Sequence, residues 1–254
     1  MPSEKITFKN TRGQTLAGRL DLPDAGASAY ALFAHCFTCS KDTLAVSRIS
    51  RGLVDRGIGV LRFDFTGLGE SEGSFDSTSF ASNISDLHAA CVWMALEHGA
   101  VRLIIGHSLG GAAVLSAAGS MDAVRGVVTI GAPADPAHVR NLFAAQLDEI
   151  EREGSAMVSI GGRPFRIGKV LVDDLSAQDP QRTVSRLGRP LLIFHSPIDR
   201  VVGVQNAADL FGWARHPKSF VSLDQADHML SDRKDADFVA GMISAWSQRF
   251  VVEP

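Results

Sequence analysis

Cysteine is scarce in this sequence. There are three in 254 residues, an odd number that argues against a disulfide framework. One-sided charge is missing too. The formal net charge is −3 and no Lys/Arg run stands out, so nucleic acid is not an expected partner. The first ten residues, "MPSEKITFKN", lack the apolar core of a secretory signal. No apolar run approaches the ~20 residues that a membrane helix needs, so no membrane partner is expected. Internal repeats and low-complexity tracts are also lacking. What is left is the profile of a cytoplasmic globular protein, 45% hydrophobic and 21% charged, with enough apolar material for a substantial core.

The apolar material is arranged in short, nearly continuous runs. "AYALFAH" (29–35), "GVLRFDF" (59–65), "VRLIIGH" (101–107), "GVVTIGA" (126–132) and "PLLIFHS" (190–196) read as strands buried on both faces, with "KSFVSLDQA" (218–226) a weaker one. Ile6–Lys9 and Thr15–Leu22, joined by "NTRGQ", read as an antiparallel hairpin. Helical periodicity lies between the later runs, at Asp42–Arg56, Ser82–His98, Ala112–Ala118, Val204–Ala214 and Ala236–Phe250. Helices alternating with buried strands predict an α/β chain with a mostly parallel eight-stranded sheet flanked by helices. Residues 134–188 break this rhythm. Pro136–Arg152 reads as an amphipathic helix, and "SAMVSIGGRPFRIGKVLV" as a hairpin turning at Gly161–Gly162. An insertion of roughly fifty residues is long enough for a small cap on a single 1–254 domain.

The most specific stretch is "GHSLGG" (106–111), placed after the strand "VRLII" and before an Ala-rich helix. Strand, G-x-S-x-G, then helix is the context of a nucleophile elbow. Gly106 and Gly110 meet its steric demand, and Ser108 becomes the candidate nucleophile. A serine hydroxyl needs a base, and the base needs an orienting acid. Of the four histidines after Ser108, His138 lies in the insertion, His195 within a strand, and His216 before Pro217. His228, in "DQADHML", follows the last strand and is the candidate base. Asp199, in "FHSPIDRVV", lies beyond the preceding strand, where an open α/β sheet presents functional groups. Asp224 and Asp227 are its competitors, the first expected in the last strand and the second facing water.

With "FAHCFTCSKD", "VLRFDFTGLGESEG", "IGHSLGGAAVL", "IGAPADPAHV" and "HSPIDRVV" in that order, the chain resembles the α/β-hydrolase fold serine hydrolases over essentially its full length. More narrowly it resembles the hydrolase half of bacterial proteins fused to an OsmC-like peroxide-resistance domain. No OsmC-like part precedes Pro254, so a stand-alone relative and a separate hydrolase half are both open. The resemblance implies esterase-type activity on a small-molecule ester, with no cofactor. It also implies an oxyanion hole from the backbone N–H groups of Leu109 and Phe37, with Cys36 where the family usually has glycine.

"HCFTC" admits other readings. A redox dithiol at Cys36 and Cys39 would need a helix N-terminus to activate a thiolate. A zinc site would need four ligands, and no second pair exists. Cys91 reads as core. "FDFTGLGESEG" reads as a turn shaping the sheet edge, since it lacks the lysine and spacing of a phosphate loop. Pocket candidates are Cys36, His107, Phe143 and Leu147; Phe143 and Leu147, with Met157 and Phe165, either line the pocket or form the cap's own core, and His107 also reads as packing within the elbow. The small cap and Cys36 point to short acyl chains. The rivals are a peptidase or thioesterase using the same triad, and a redox-responsive binding domain without catalysis.

Overall fold

The computed structural model describes residues 3–251. Its strands are β1 (Ser3–Lys9), β2 (Thr15–Asp21), β3 (Ala29–Ala34), β4 (Ile58–Phe63), β5 (Val101–His107), β6 (Gly126–Ile130), β7 (Ser155–Ile160), β8 (Arg163–Gly168), β9 (Leu191–His195) and β10 (Lys218–Ser222). Eight of them form one sheet in the order β1-β2-β4-β3-β5-β6-β9-β10, while β7 and β8 pair separately. β2 runs antiparallel to both β1 and β4, and the remaining neighbours from β4 to β10 are parallel. The expected mostly parallel sheet of eight strands is therefore the architecture found.

The apolar runs are continuous because both sheet faces are covered. Within each strand, successive residues feed opposite cores. Leu32, Ile104 and Val127 pack toward one face, against Leu87 and Met94 of α2 (Phe80–Glu97) and Val114 of α3 (Leu109–Ala118). Phe33, Ile105 and Val128 pack toward the other, against Ile49 and Leu53 of α1 (Leu44–Val54) and Val239 and Ile243 of the C-terminal helix (Arg233–Ser247).

Strand order creates the crevice. β3 leads through α1 to β4 on one side, whereas β5 leads through α3 to β6 on the other. The loops after the adjacent strands β3 and β5 thus diverge and leave a gap at the carboxyl edge, the usual ligand position in open α/β sheets.

The segment 134–188 lies between β6 and β9. Its first part is not the single amphipathic helix expected. A 3-10 stretch, Pro136–Gln146, gives way to α4 (Leu147–Glu153), and Phe143 breaks the helical geometry at φ −139°, ψ 31°. The break turns Phe143 inward, where it is buried with its ring centroid 6.5 Å from that of Phe37. The hairpin turns at Gly161 (φ 58°) and Gly162 (φ 76°), the paired positive φ of a tight two-residue turn. It ends sooner than expected, because "KVLV" opens α5 (Lys169–Ser176). α6 (Pro180–Ser185) follows, and α7 (Gln205–Trp213) and α8, the C-terminal helix, complete the chain.

One buried ion pair ties the loops after β3 and β4 together. Asp64 is fully buried, and its carboxylate accepts from the Lys41 amide at 2.7 Å, Lys41 Nζ at 2.7 Å and the Glu70 amide at 3.0 Å. "FDFTGLGESEG" is therefore a turn organised around Asp64. Removing one member of such a pair strands the other charge. Lys41→Met is expected to cost about 3–5 kcal/mol of unfolding free energy in urea titrations. A change below about 1 kcal/mol would show that the pair does not anchor these loops.

Candidate active site

β5 ends at His107, and the chain turns sharply into α3 through Ser108, whose backbone stands at φ 55°, ψ −126°. Such a conformation costs a non-glycine residue about 1–3 kcal/mol. Neighbouring bonds hold it: the Ser108 amide donates to Ile130 O at 2.9 Å, and the Gly111 amide donates to Ser108 O at 2.8 Å. The flanking glycines are steric necessities. A Cβ on Gly106 would collide with Gly110 O, and one on Gly110 with the carbonyl oxygens of Ala34 and His35.

Two further loops bring their side chains to this point. His228 Nε2 lies 3.0 Å from Ser108 Oγ, and His228 Nδ1 lies 2.7 Å from Asp199 Oδ2. A carboxylate facing Nδ1 fixes the tautomer with the proton on that nitrogen, so Nε2 is free to accept from the serine hydroxyl. Asp199 is itself held. Its Oδ1 accepts from the amides of Val201 (2.8 Å) and Val202 (2.9 Å). Burial pushes its pKa up, but bonds from His228, Val202 and Val201 outweigh burial and hold it below the ordinary carboxylate value.

The other candidates fall elsewhere. His195 is fully buried and donates from Nε2 to Val202 O at 2.7 Å. Asp224 is exposed beyond the end of β10, not within the last strand, and accepts from Ser222 Oγ. Asp227 is exposed and caps the Ser231 amide at 2.9 Å.

The loop after β3 carries a feature that the cysteine count argued against: Cys36 and Cys39 are joined by a disulfide. The pair does not open a helix, since α1 begins only at Leu44. The bond closes a turn in which the Cys39 amide donates to Cys36 O at 3.1 Å and Thr38 adopts φ 60°. Arg163, from the β7–β8 hairpin, donates from Nη2 to Thr38 O. Among the described residues the Phe37 and Leu109 amides donate to no protein acceptor. Both residues border the same cavity as Ser108 and His228. Cys91 is half-buried, and burial pushes its thiol up to about 12.

That cavity encloses about 670 Å³. Of the four pocket candidates, only Cys36 lines it. Phe143 lies behind Phe37, and Leu147 packs partly buried against the core. His107 is buried beneath the elbow, where Nε2 donates to His228 O at 2.7 Å. Of the insertion's apolar residues, Val139, Leu142 and Ile160 line the cavity instead. Phe143 sits at the kink and is buried, whereas its neighbour Leu142 is exposed and borders the cavity, which helical periodicity does not reveal. Met229 also lines it, and its place beside His228 in sequence was the available signal.

Burial, reinforced by the nearby His228, pushes the His107 pKa down to about 4. Unfolded, this imidazole takes a proton near pH 6.5. Folded, it stays neutral until about pH 4. The unfolded chain therefore binds more protons in that window, and stability falls as pH drops through it. The loss between pH 6.5 and 4 is on the order of 3 kcal/mol. His107→Gln, measured by urea unfolding against pH, is expected to flatten that part of the acid limb, and an unchanged slope would contradict the assignment. The disulfide has its own readout. Denatured, unreduced protein should take up one equivalent of a thiol reagent, at Cys91, rising to three after reduction, whereas three before reduction would contradict the bond.

The geometry can be set beside known proteins. The alpha/beta hydrolase family pattern matches residues 31–253. The esterase domain of a Rhodothermus marinus protein is 52% identical, with a TM-score of 0.81 over 98% of this chain and 99% of that one. Est1E of Butyrivibrio proteoclasticus, solved with ferulic acid bound, shares the fold at 19% identity, with a TM-score of 0.78 over 96% of this chain and 98% of its own. The uncharacterized protein YfhR of Salmonella typhi is 27% identical over 234 residues, 89% of this chain and 75% of that protein. With a family match spanning most of its length and an esterase domain identical at half its positions, this chain belongs to the alpha/beta hydrolase family.

Proposed function

We propose that the protein is a serine esterase working without a cofactor through Ser108, His228 and Asp199. The observation that carries this is the relay of Asp199 to His228 at 2.7 Å and His228 to Ser108 at 3.0 Å, opening on an apolar-walled cavity. Ser108 Oγ attacks the ester carbonyl as His228 Nε2 takes its proton. Asp199 orients the ring and stabilises the imidazolium. The carbonyl oxygen, now negative, is held by the Phe37 and Leu109 amides, each such donor being worth about 3–4 kcal/mol in typical sites. His228 returns the proton to the leaving alcohol, and water then cleaves the acyl-enzyme along the same path.

In this reading the segment 134–188 acts as the cap, since its His138, Val139, Leu142 and Ile160 line the same cavity as Ser108. Short acyl groups come first, because the Cys36–Cys39 turn occupies the wall beside the proposed oxyanion hole. Thioesters and amides would use the same steps with a different leaving group. The rival, a redox-responsive binding domain, gains the disulfide but leaves the proton relay without a use.

Ser108→Ala should lower kcat for 4-nitrophenyl acetate by at least about 1000-fold with the melting temperature nearly intact. Near wild-type hydrolysis by that variant would sink the proposal. Asp199→Asn should lose a comparable factor, about 1000- to 10,000-fold, because the wrong His228 tautomer then faces the serine. A loss below tenfold would remove Asp199 from the relay.

A further inference from the structure

Two guanidinium groups border the active-site cavity, and no Asp or Glu does so among the described residues. Arg200 is one of them. It follows Asp199 directly, yet the buried carboxylate does not recruit it: Asp199 Oδ1 serves the Val201 and Val202 amides and Oδ2 serves His228. Arg200 is exposed, with no side-chain hydrogen bond or ion pair to the described residues. Arg163 is the other. One of its nitrogens is spent on Thr38 O, which fixes the group at the rim beside the proposed oxyanion loop. Its face lies over Phe165, 5.4 Å from the ring centroid, and no acid among the described residues pairs with it.

The remaining wall is largely apolar, including Leu142, Ile160, Val201 and Met229. Positive charge at a low-dielectric cleft focuses its field on whatever enters. A guanidinium fork also matches the two oxygens of a carboxylate in geometry. Neither arginine belongs to the proposed relay or oxyanion hole, so a charge on the reacting carbonyl is not what they await.

Building on the esterase reading, we infer that the preferred substrates are esters carrying a distal carboxylate, bound by Arg200 and Arg163. The neutral apolar body of the ester lies along the cavity wall, and the anion sits at the rim. The charge can enter on the acyl or on the alcohol side, and two matched probe pairs distinguish these sources. Mono-4-nitrophenyl glutarate is compared with its methyl ester for the acyl side. 4-Acetoxybenzoate is compared with its methyl ester for the alcohol side, following acetate release.

At least one anionic ester should exceed its neutral partner in kcat/KM by about tenfold, equivalent to about 1.4 kcal/mol. The ratio should shrink as salt rises from ~10 mM to ~0.5 M, because the contact is at a solvated rim. Arg200→Gln, and separately Arg163→Gln, should bring the ratio down several-fold. Ratios at or below one in both pairs at low salt, or a ratio unmoved by both substitutions, would overturn the inference. Ser108→Ala assayed on the neutral esters keeps the two readings apart: near wild-type rates there would contradict the esterase reading, not the anion preference.

Discussion

Ser108 is held in a backbone conformation that side-chain-bearing residues avoid, and much of the structure serves to keep it there. The strain at φ 55°, ψ −126° persists because three elements close on the turn. β6 supplies Ile130 O to the Ser108 amide, α3 returns the Gly111 amide to Ser108 O, and β3 brings the carbonyls of Ala34 and His35 against Gly110. None of these approaches tolerates a Cβ at Gly106 or Gly110. Sheet order, glycine placement and the position of the serine are therefore one constraint expressed at three levels.

The divergence of β3 and β5 puts a second loop beside the serine, and that loop is secured more heavily than its length requires. A disulfide closes it, the Asp64–Lys41 pair fixes its far end, and Arg163 reaches across from the β7–β8 hairpin. The Phe37 ring packs near Phe75 and Phe143, with centroids at 5.6 and 6.5 Å. Phe75 in turn meets Phe165 of the hairpin at 5.7 Å. An aromatic chain thus links the insertion to the residue whose amide we assign to the oxyanion. In the proposed mechanism this rigidity has a chemical purpose, since preorganised donors stabilise developing charge without reorganising.

Much of the fold was legible in the sequence. Runs such as "VRLII" alternate residues between two cores, so they had to be strands covered on both faces. That Ser108, Asp199 and His228 would lie together was readable because each follows a strand whose carboxyl end lies at the same edge of the sheet. The insertion was less legible. Its kink places Phe143 near Phe37, a contact between distant residues that no local pattern records. The Cys36–Cys39 bond was discounted on parity, yet parity says little about a pair only three residues apart. His107 had two readings, a pocket residue and a ring packed within the elbow, and the second is the one found, with the ring buried under His228.

The central claim is that the elbow, the histidine and the aspartate together make Ser108 nucleophilic. The most direct measurement is labelling of the native protein with a fluorophosphonate, with the adduct located by mass spectrometry of its peptides. One adduct per chain is expected, on Ser108, and none after denaturation, when His228 no longer faces the hydroxyl. No adduct on the native protein, or an adduct on another residue with Ser108 unmodified, would contradict it.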